Sequence, residues 1–191
     1  MRFSIFIGDI ADAPADAVCT STNPRLSLMM GTGAAIRRRG GPTILRACEG
    51  VTPLPPGAIH ATTAGELPYK LVIHCVASDA AHRSSIAIVQ ACVTNALTRA
   101  DAAGCASIAM PVFGTGHAHL RFADAARAMA HSALAAPHRV EHIIFVTNDD
   151  ENVAELRAIL EKATGQRIEI ERSQEVEPES GSYWAFSLDG D

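Results

Sequence analysis

Short apolar runs alternate along this chain with longer stretches of helical spacing. Arg2–Ile7 and residues 16–21, 58–62, 71–77, 107–113 and 140–146 are brief, apolar and rich in β-branched residues, and they predict strands. Gly65 and Pro68 separate the third and fourth of these, which predicts neighbouring strands. Ile86, Val89, Val93, Ala96, Leu97 and Ala100 follow a 3.6-residue period, and Gly104 closes that helix. Phe122, Ala125, Ala126, Met129 and Ala133 mark another helix, ended by Pro137. Val153, Leu156, Ile159 and Leu160 mark a third, ended by Gly165. Asn148, with Glu151 three residues on, reads as its N-cap and capping-box partner. Residues 32–39 and Pro42–Cys48 predict two short helices, with Pro42 in a first turn. Residues 168–171 predict a last strand.

Strands alternating with helices predict an α/β domain, its largely parallel sheet covered on both faces. Such sheets hold ligands at the carboxyl ends of their strands. The expected domain spans residues 1–172. Beyond it, residues 173–191 are acidic, lack apolar periodicity and read as a flexible tail. Tyr183, Trp184 and Phe186 are unusual in such a segment and can dock on the domain or on a partner not identified by the sequence.

The chain has 191 residues, 48% hydrophobic but only 5% aromatic, so its core must be built from Ala, Ile, Leu and Val. No apolar run approaches the roughly 20 residues that cross a membrane. The net charge of −5 argues against wholesale binding to duplex nucleic acid. Arg37-Arg38-Arg39 is the one basic cluster and reads as a solvated helix face. Five cysteines, an odd number without a CxxC pair, read as reduced and mostly buried, which suits a cytoplasmic protein.

The candidate chemistry lies in two glycine-rich loops. Gly114-Thr115-Gly116 follows the fifth strand, and Gly31-Thr32-Gly33 precedes the first helix. Amides gathered at a strand end or helix mouth favour a phosphate, and two such loops suggest a ligand with two phosphates. Asp9, after the first strand, can accept a hydrogen bond from an exocyclic amine such as N6 of adenine; it can equally cap a turn. Asn23 can bind ribose hydroxyls or serve as an ordinary turn residue before Pro24. His117 is placed to act as a general acid or base, or as a loop donor. His117-Ala118-His119 lacks a third ligand, so no metal and no cofactor is expected. His74 reads as a satisfied core histidine.

With these residues in order, residues 2–164 resemble the macrodomains, which bind ADP-ribose. The likeness rests on Gly8-Asp9-Ile10, on Asp16-Ala17-Val18 with Asn23, on Gly31 running into Ala35-Ile36, and on Pro56-Gly57-Ala58. It continues through Leu71-Val72-Ile73-His74-Cys75-Val76, Met110-Pro111-Val112-Phe113-Gly114-Thr115-Gly116 and Ile143-Ile144-Phe145-Val146. The resemblance implies a three-layer α/β/α sandwich with a mixed sheet. It also implies that Asp9 holds the adenine amine with Ile10 beside it. Gly31, Thr32, Gly33 and Ala34 would wrap one side of the diphosphate, and Gly114, Thr115, Gly116 and His117 the other. Asn23 would face the distal ribose and Asn148 the adenine. The implied partner is ADP-ribose or a related adenine nucleotide, free or attached to protein or nucleic acid.

This chain departs from the family pattern in several places. The first of the family's two asparagines is Thr20 here, and Leu28-Met29-Met30 stands where glycines are usual. The Asp common in the family's hydrolases is Gly33, and the aromatic that often stacks on adenine is replaced by Asn148. Binding is therefore the first expectation. Hydrolysis of ADP-ribosyl groups or of O-acyl-ADP-ribose, by a water held between phosphate and ribose, is the alternative. The departures at residues 28–30 also leave room for a sensor of another nucleotide.

Overall fold

The structure, a computed structural model, describes residues 1–173. The acidic segment with Tyr183, Trp184 and Phe186 lies outside the described residues. Seven strands form one sheet in the order β3-β4-β2-β5-β6-β1-β7. They are β1 (Arg2–Ile7), β2 (Ala17–Thr22), β3 (Ile59–Thr62), β4 (Leu71–Val76), β5 (Ser107–Pro111), β6 (His142–Thr147) and β7 (Glu169–Arg172). Every neighbouring pair is parallel except β3–β4. The helices are α1 (Gly31–Gly40), α2 (Pro42–Cys48), α3 (Ile86–Ala102), α4 (Phe122–Ala135) and α5 (Glu151–Thr164).

The central strands are buried on both faces, which is why they read as continuous apolar runs. Their side chains still alternate. In β4, Leu71, Ile73 and Cys75 join one core with Val89 and Leu97 of α3, Met129 of α4 and Leu156 of α5. Val72 and Val76 join the other with Ile36 of α1 and Ile44 of α2. The two cores make the sheet the middle of three layers, the architecture the sequence implied. All five cysteines are free and buried.

Most boundaries shift by one or two residues from the sequence reading, and three differences bear on the site. β5 stops at Pro111, which has no N–H to give the ladder; Val112 and Phe113 turn away, with Thr115 Oγ1 donating to the Val112 carbonyl at 3.0 Å. The N-cap of α5 is Asp150, not Asn148. The Asp149 carboxylate, rather than Asn148, takes the Glu151 amide at 3.0 Å, so no capping box forms. A short 3-10 turn over Ile10–Asp12, unforeseen in the sequence, is capped by the Asp9 side chain.

His74 sits fully buried in β4. Its ring nitrogens meet Thr20 Oγ1 at 3.2 Å and Thr62 Oγ1 at 3.1 Å, so it is a satisfied core residue. Burial, with a smaller effect from the His60 ring 6.3 Å away, pushes its pKa down to about 4. The unfolded chain holds that proton near the ordinary 6.5. The native state is therefore fully favoured above pH 6.5 and loses this contribution as pH falls toward 4. The loss is on the order of 3 kcal/mol. Urea unfolding at pH 7 and pH 4.5 should show a smaller acid destabilisation in His74→Gln than in the wild type. Equal acid sensitivity in both proteins would contradict this assignment.

Candidate functional site

A groove crosses the carboxyl ends of β2, β5, β6 and β1, as expected for a parallel sheet. It consists of two adjoining cavities of about 750 and 410 Å³ that share Gly31, Thr32, Thr115, Gly116 and Asn148. Asp9 and Ile10 line the larger; Asn23, Gly114 and His117 line the smaller. Ten of the anticipated site positions thus meet in one groove. Gly33 and Ala34 line neither cavity: the Ala34 N–H bonds the Met30 carbonyl at 3.3 Å, and Gly33 is buried.

The first glycine segment is built differently from the sequence reading. Residues 31–34 are not a loop before α1 but its first turn, with Met30 as an N-cap that offers no side-chain acceptor. The N–H groups of Gly31, Thr32 and Gly33 have no acceptor among the described residues, as is usual for a helix start. Gly31 has φ +55°, and nothing stands within 4 Å of where its Cβ would lie. Thr32 Oγ1 accepts the Ser21 N–H at 3.4 Å and ties this turn to the end of β2. The second segment does not open directly into α4. The Leu120 N–H closes it onto the Gly114 carbonyl at 3.0 Å before that helix begins at Phe122. Gly114, at φ +78°, packs against Ser84 and Leu120, whereas the space at Gly116 is open. The N–H groups of Thr115 and Gly116 also have no acceptor among the described residues. Two pairs of residues with unpaired amides, Gly31 with Thr32 and Thr115 with Gly116, therefore line one groove, and the helix dipole of α1 adds partial positive charge to the first.

Asp9 caps a turn and also lines the larger cavity. One carboxylate oxygen accepts the Ala11 N–H at 2.9 Å and caps the 3-10 turn; the other lies 3.4 Å from the Arg38 guanidinium. An ionised carboxylate has about four acceptor positions, so capacity remains toward the cavity. The turn is anchored from below by Tyr69, whose buried hydroxyl donates to the carbonyls of Ile10 and Ala13, both at 3.1 Å. Burial pushes the Tyr69 pKa up to about 12, so it remains a donor at neutral pH.

Asn23 also holds a turn and lines the smaller cavity. Its Oδ1 accepts the N–H groups of Arg25 at 3.0 Å and Ser27 at 3.3 Å, which leaves its amide N–H groups for the cavity. Thr20 is buried and its hydroxyl is committed to His74. His117 is exposed, its ring 6.5 Å from that of His82, and both line the smaller cavity. Among the described residues, no group of three or more His, Cys, Asp or Glu is placed to hold a metal ion. Phe113 is fully buried and cannot reach a ligand.

Sequence reasoning missed Arg38, Phe122 and His82, all of which line the groove. Arg38 was hidden in a run of three arginines, and Phe122 carried only a helix-spacing signal. His82 sits in a loop with no motif.

The Macro domain family matches residues 19–129. A protein of Mycobacterium tuberculosis is 33% identical over 151 residues, covering 78% of this chain and 42% of that protein. This chain belongs to the macrodomain family. An O-acetyl-ADP-ribose deacetylase of Enterobacter cloacae is 30% identical over 178 residues, 88% of this chain and 98% of that protein. In fold, the macrodomain resembles a mutant macrodomain of Oceanobacillus iheyensis solved with ADPR, at a TM-score of 0.77 and 21% identity, over 85% of this chain and 93% of that one. The chain spans 42% of the length of the mycobacterial relative.

A side chain at Gly33, the position where the resemblance to hydrolases would place an Asp, is crowded. A Cβ there would stand 3.1 Å from the Leu28 Cα and 3.2 Å from its Cδ2, and Leu28 is itself 1% exposed. Overpacking of this kind costs about 1–3 kcal/mol. Gly33→Asp should lower the melting temperature by roughly 3–10 °C in calorimetry. An unchanged or raised melting temperature would show that Leu28 yields freely.

Proposed function

We propose that this macrodomain binds ADP-ribose, free or attached to a macromolecule. The observation that carries the reading is the convergence of two unpaired amide sets on one groove beside a positioned carboxylate. In this reading the amides of Gly31 and Thr32 receive one side of the diphosphate, and those of Thr115 and Gly116 the other. The base lies at the Asp9 end, and the distal ribose lies among Asn23, His117 and Gly114. Asp9 accepts the adenine amine, while the Ile10 region forms the adjoining wall. Guanine presents an acceptor at the same place and is repelled. The Oceanobacillus neighbour solved with ADPR supports this ligand class. Five free, buried thiols suit a reducing compartment such as the cytoplasm.

A hydrolytic second reading rests on the name of the Enterobacter relative and on the side chains around the smaller cavity. There a water attacks the ester carbonyl of an O-acyl-ADP-ribose and gives a proton to His117. The C–O bond to the ribose then breaks and His117 returns that proton to the leaving ribose oxygen, so that the carboxylic acid and ADP-ribose are the products, while the Asn23 amide orients the sugar. Release of acetate from O-acetyl-ADP-ribose, lost in Asn23→Ala, identifies this activity. Binding without release assigns the domain to recognition alone.

A charged hydrogen bond contributes about 1.5–3 kcal/mol. Asp9→Asn keeps an acceptor for the Ala11 cap but can turn an N–H₂ toward the base. Calorimetry should show ADP-ribose affinity falling about tenfold or more, with the loss smaller for the hypoxanthine analogue. Unchanged ADP-ribose binding in Asp9→Asn would remove the carboxylate from base recognition.

A further inference from the structure

Arg38 stands at the base end of the groove, and its neighbours do not. Along α1, Gly31, Ala35 and Arg38 fall on one stripe of the helix, and all three line the larger cavity. Arg37 turns to the Met29 sulfur at 3.4 Å, and Arg39 pairs with Asp12. Arg38 alone of the run lies 3.4 Å from the outer oxygen of Asp9, with 68% of its side chain exposed. An ion pair this exposed contributes little to stability, so folding does not explain its placement.

The β6–α5 side of the cavity, formed by Asn148, Asp149 and Asn152, offers no stacking ring; the aromatic ring that lines this cavity, Phe122, belongs to the start of α4. The small side chain of Ala35 leaves the stripe open between the phosphate amides and Arg38. A guanidinium is planar, weakly hydrated and stacks on aromatic faces while its edge donates hydrogen bonds. Arginine planes receive unstacked bases in this way.

We propose that Arg38 is the base-stacking residue of this domain: its plane lies on the purine while its edge holds Asp9 in position for the amine. The proposal rests on the ADP-ribose reading given above. It makes Arg38 a specificity-determining residue and assigns to α1 two parts of the ligand, the diphosphate at its first turn and the base two turns later.

The test is calorimetry of wild type, Arg38→Ala, Arg38→Lys and Arg37→Ala with ADP-ribose and with the pyrimidine analogue UDP-ribose. Loss of one base stack corresponds to roughly tenfold in affinity. We expect Arg38→Ala to bind ADP-ribose about tenfold more weakly, UDP-ribose binding to change far less, and Arg38→Lys to recover little because an ammonium has no plane. Arg37→Ala should stay within about twofold of wild type for both ligands. Unchanged ADP-ribose binding in Arg38→Ala would overturn the proposal. Equal loss for both nucleotides with recovery in Arg38→Lys would overturn it too, showing only a charge that attracts phosphate. Absence of ADP-ribose binding by the wild type would refute the functional reading as well, whereas the first two outcomes leave that reading standing.

Discussion

An N–H group without an internal acceptor is open to a ligand, and this fold places two groups of them along the same groove. One is the opening turn of α1, whose N-cap Met30 supplies no side-chain acceptor. The other is the segment at Thr115 and Gly116, held open because its carbonyls, not its amides, are taken by Leu120 and His119. The two lie on different walls: α1 packs on one face of the sheet, and α4, which follows the second segment, packs on the other. The strand ends between them form the floor. The site is thus a property of backbone geometry before any side chain is considered.

The side chains then divide the groove into two ends. At one end, Asp9, its Ala11 cap and the Tyr69 anchor make a rigid acceptor. At the other, Asn23 and His117 line a smaller cavity whose rim carries Met30, 57% exposed, next to Met29 at 61%. Methionines are adaptable contact surfaces, so the distal end is less committed to one shape than the base end. Leu28 precedes the two methionines and is buried, filling the space beside Gly33. The bulk of Leu28 and the absence of a side chain at Gly33 therefore belong to one packing arrangement.

Much of this was legible in the chain. Strands such as Leu71–Val76 read clearly because burial on both faces makes them uniformly apolar. Gly31, Gly114 and Gly116 stood out because they follow strand ends. Sheet order was not legible, since it depends on crossovers between strands distant in sequence. Asn148 was misread as a cap because three capping residues, Asn148, Asp149 and Asp150, stand in a row; the end of β6 at Thr147 leaves Asn148 beside the strand and pushes the helix start onward. Arg38 was illegible because adjacent helical residues point about 100° apart, and a run of three arginines does not reveal which one meets the ligand. Gly33 read as a cradle residue because its burial against Leu28 is a tertiary fact.

The central claim is that paired main-chain amides, not a metal or a charged clamp, hold the diphosphate. The most direct measurement is a crystal structure of this domain with ADP-ribose. The account expects phosphate oxygens within hydrogen-bond distance of the Gly31 or Thr32 amide on one side and the Thr115 or Gly116 amide on the other, with the adenine amine on Asp9. A diphosphate bound away from either amide set, or a ligand reversed so that adenine sits beside Asn23, would contradict it.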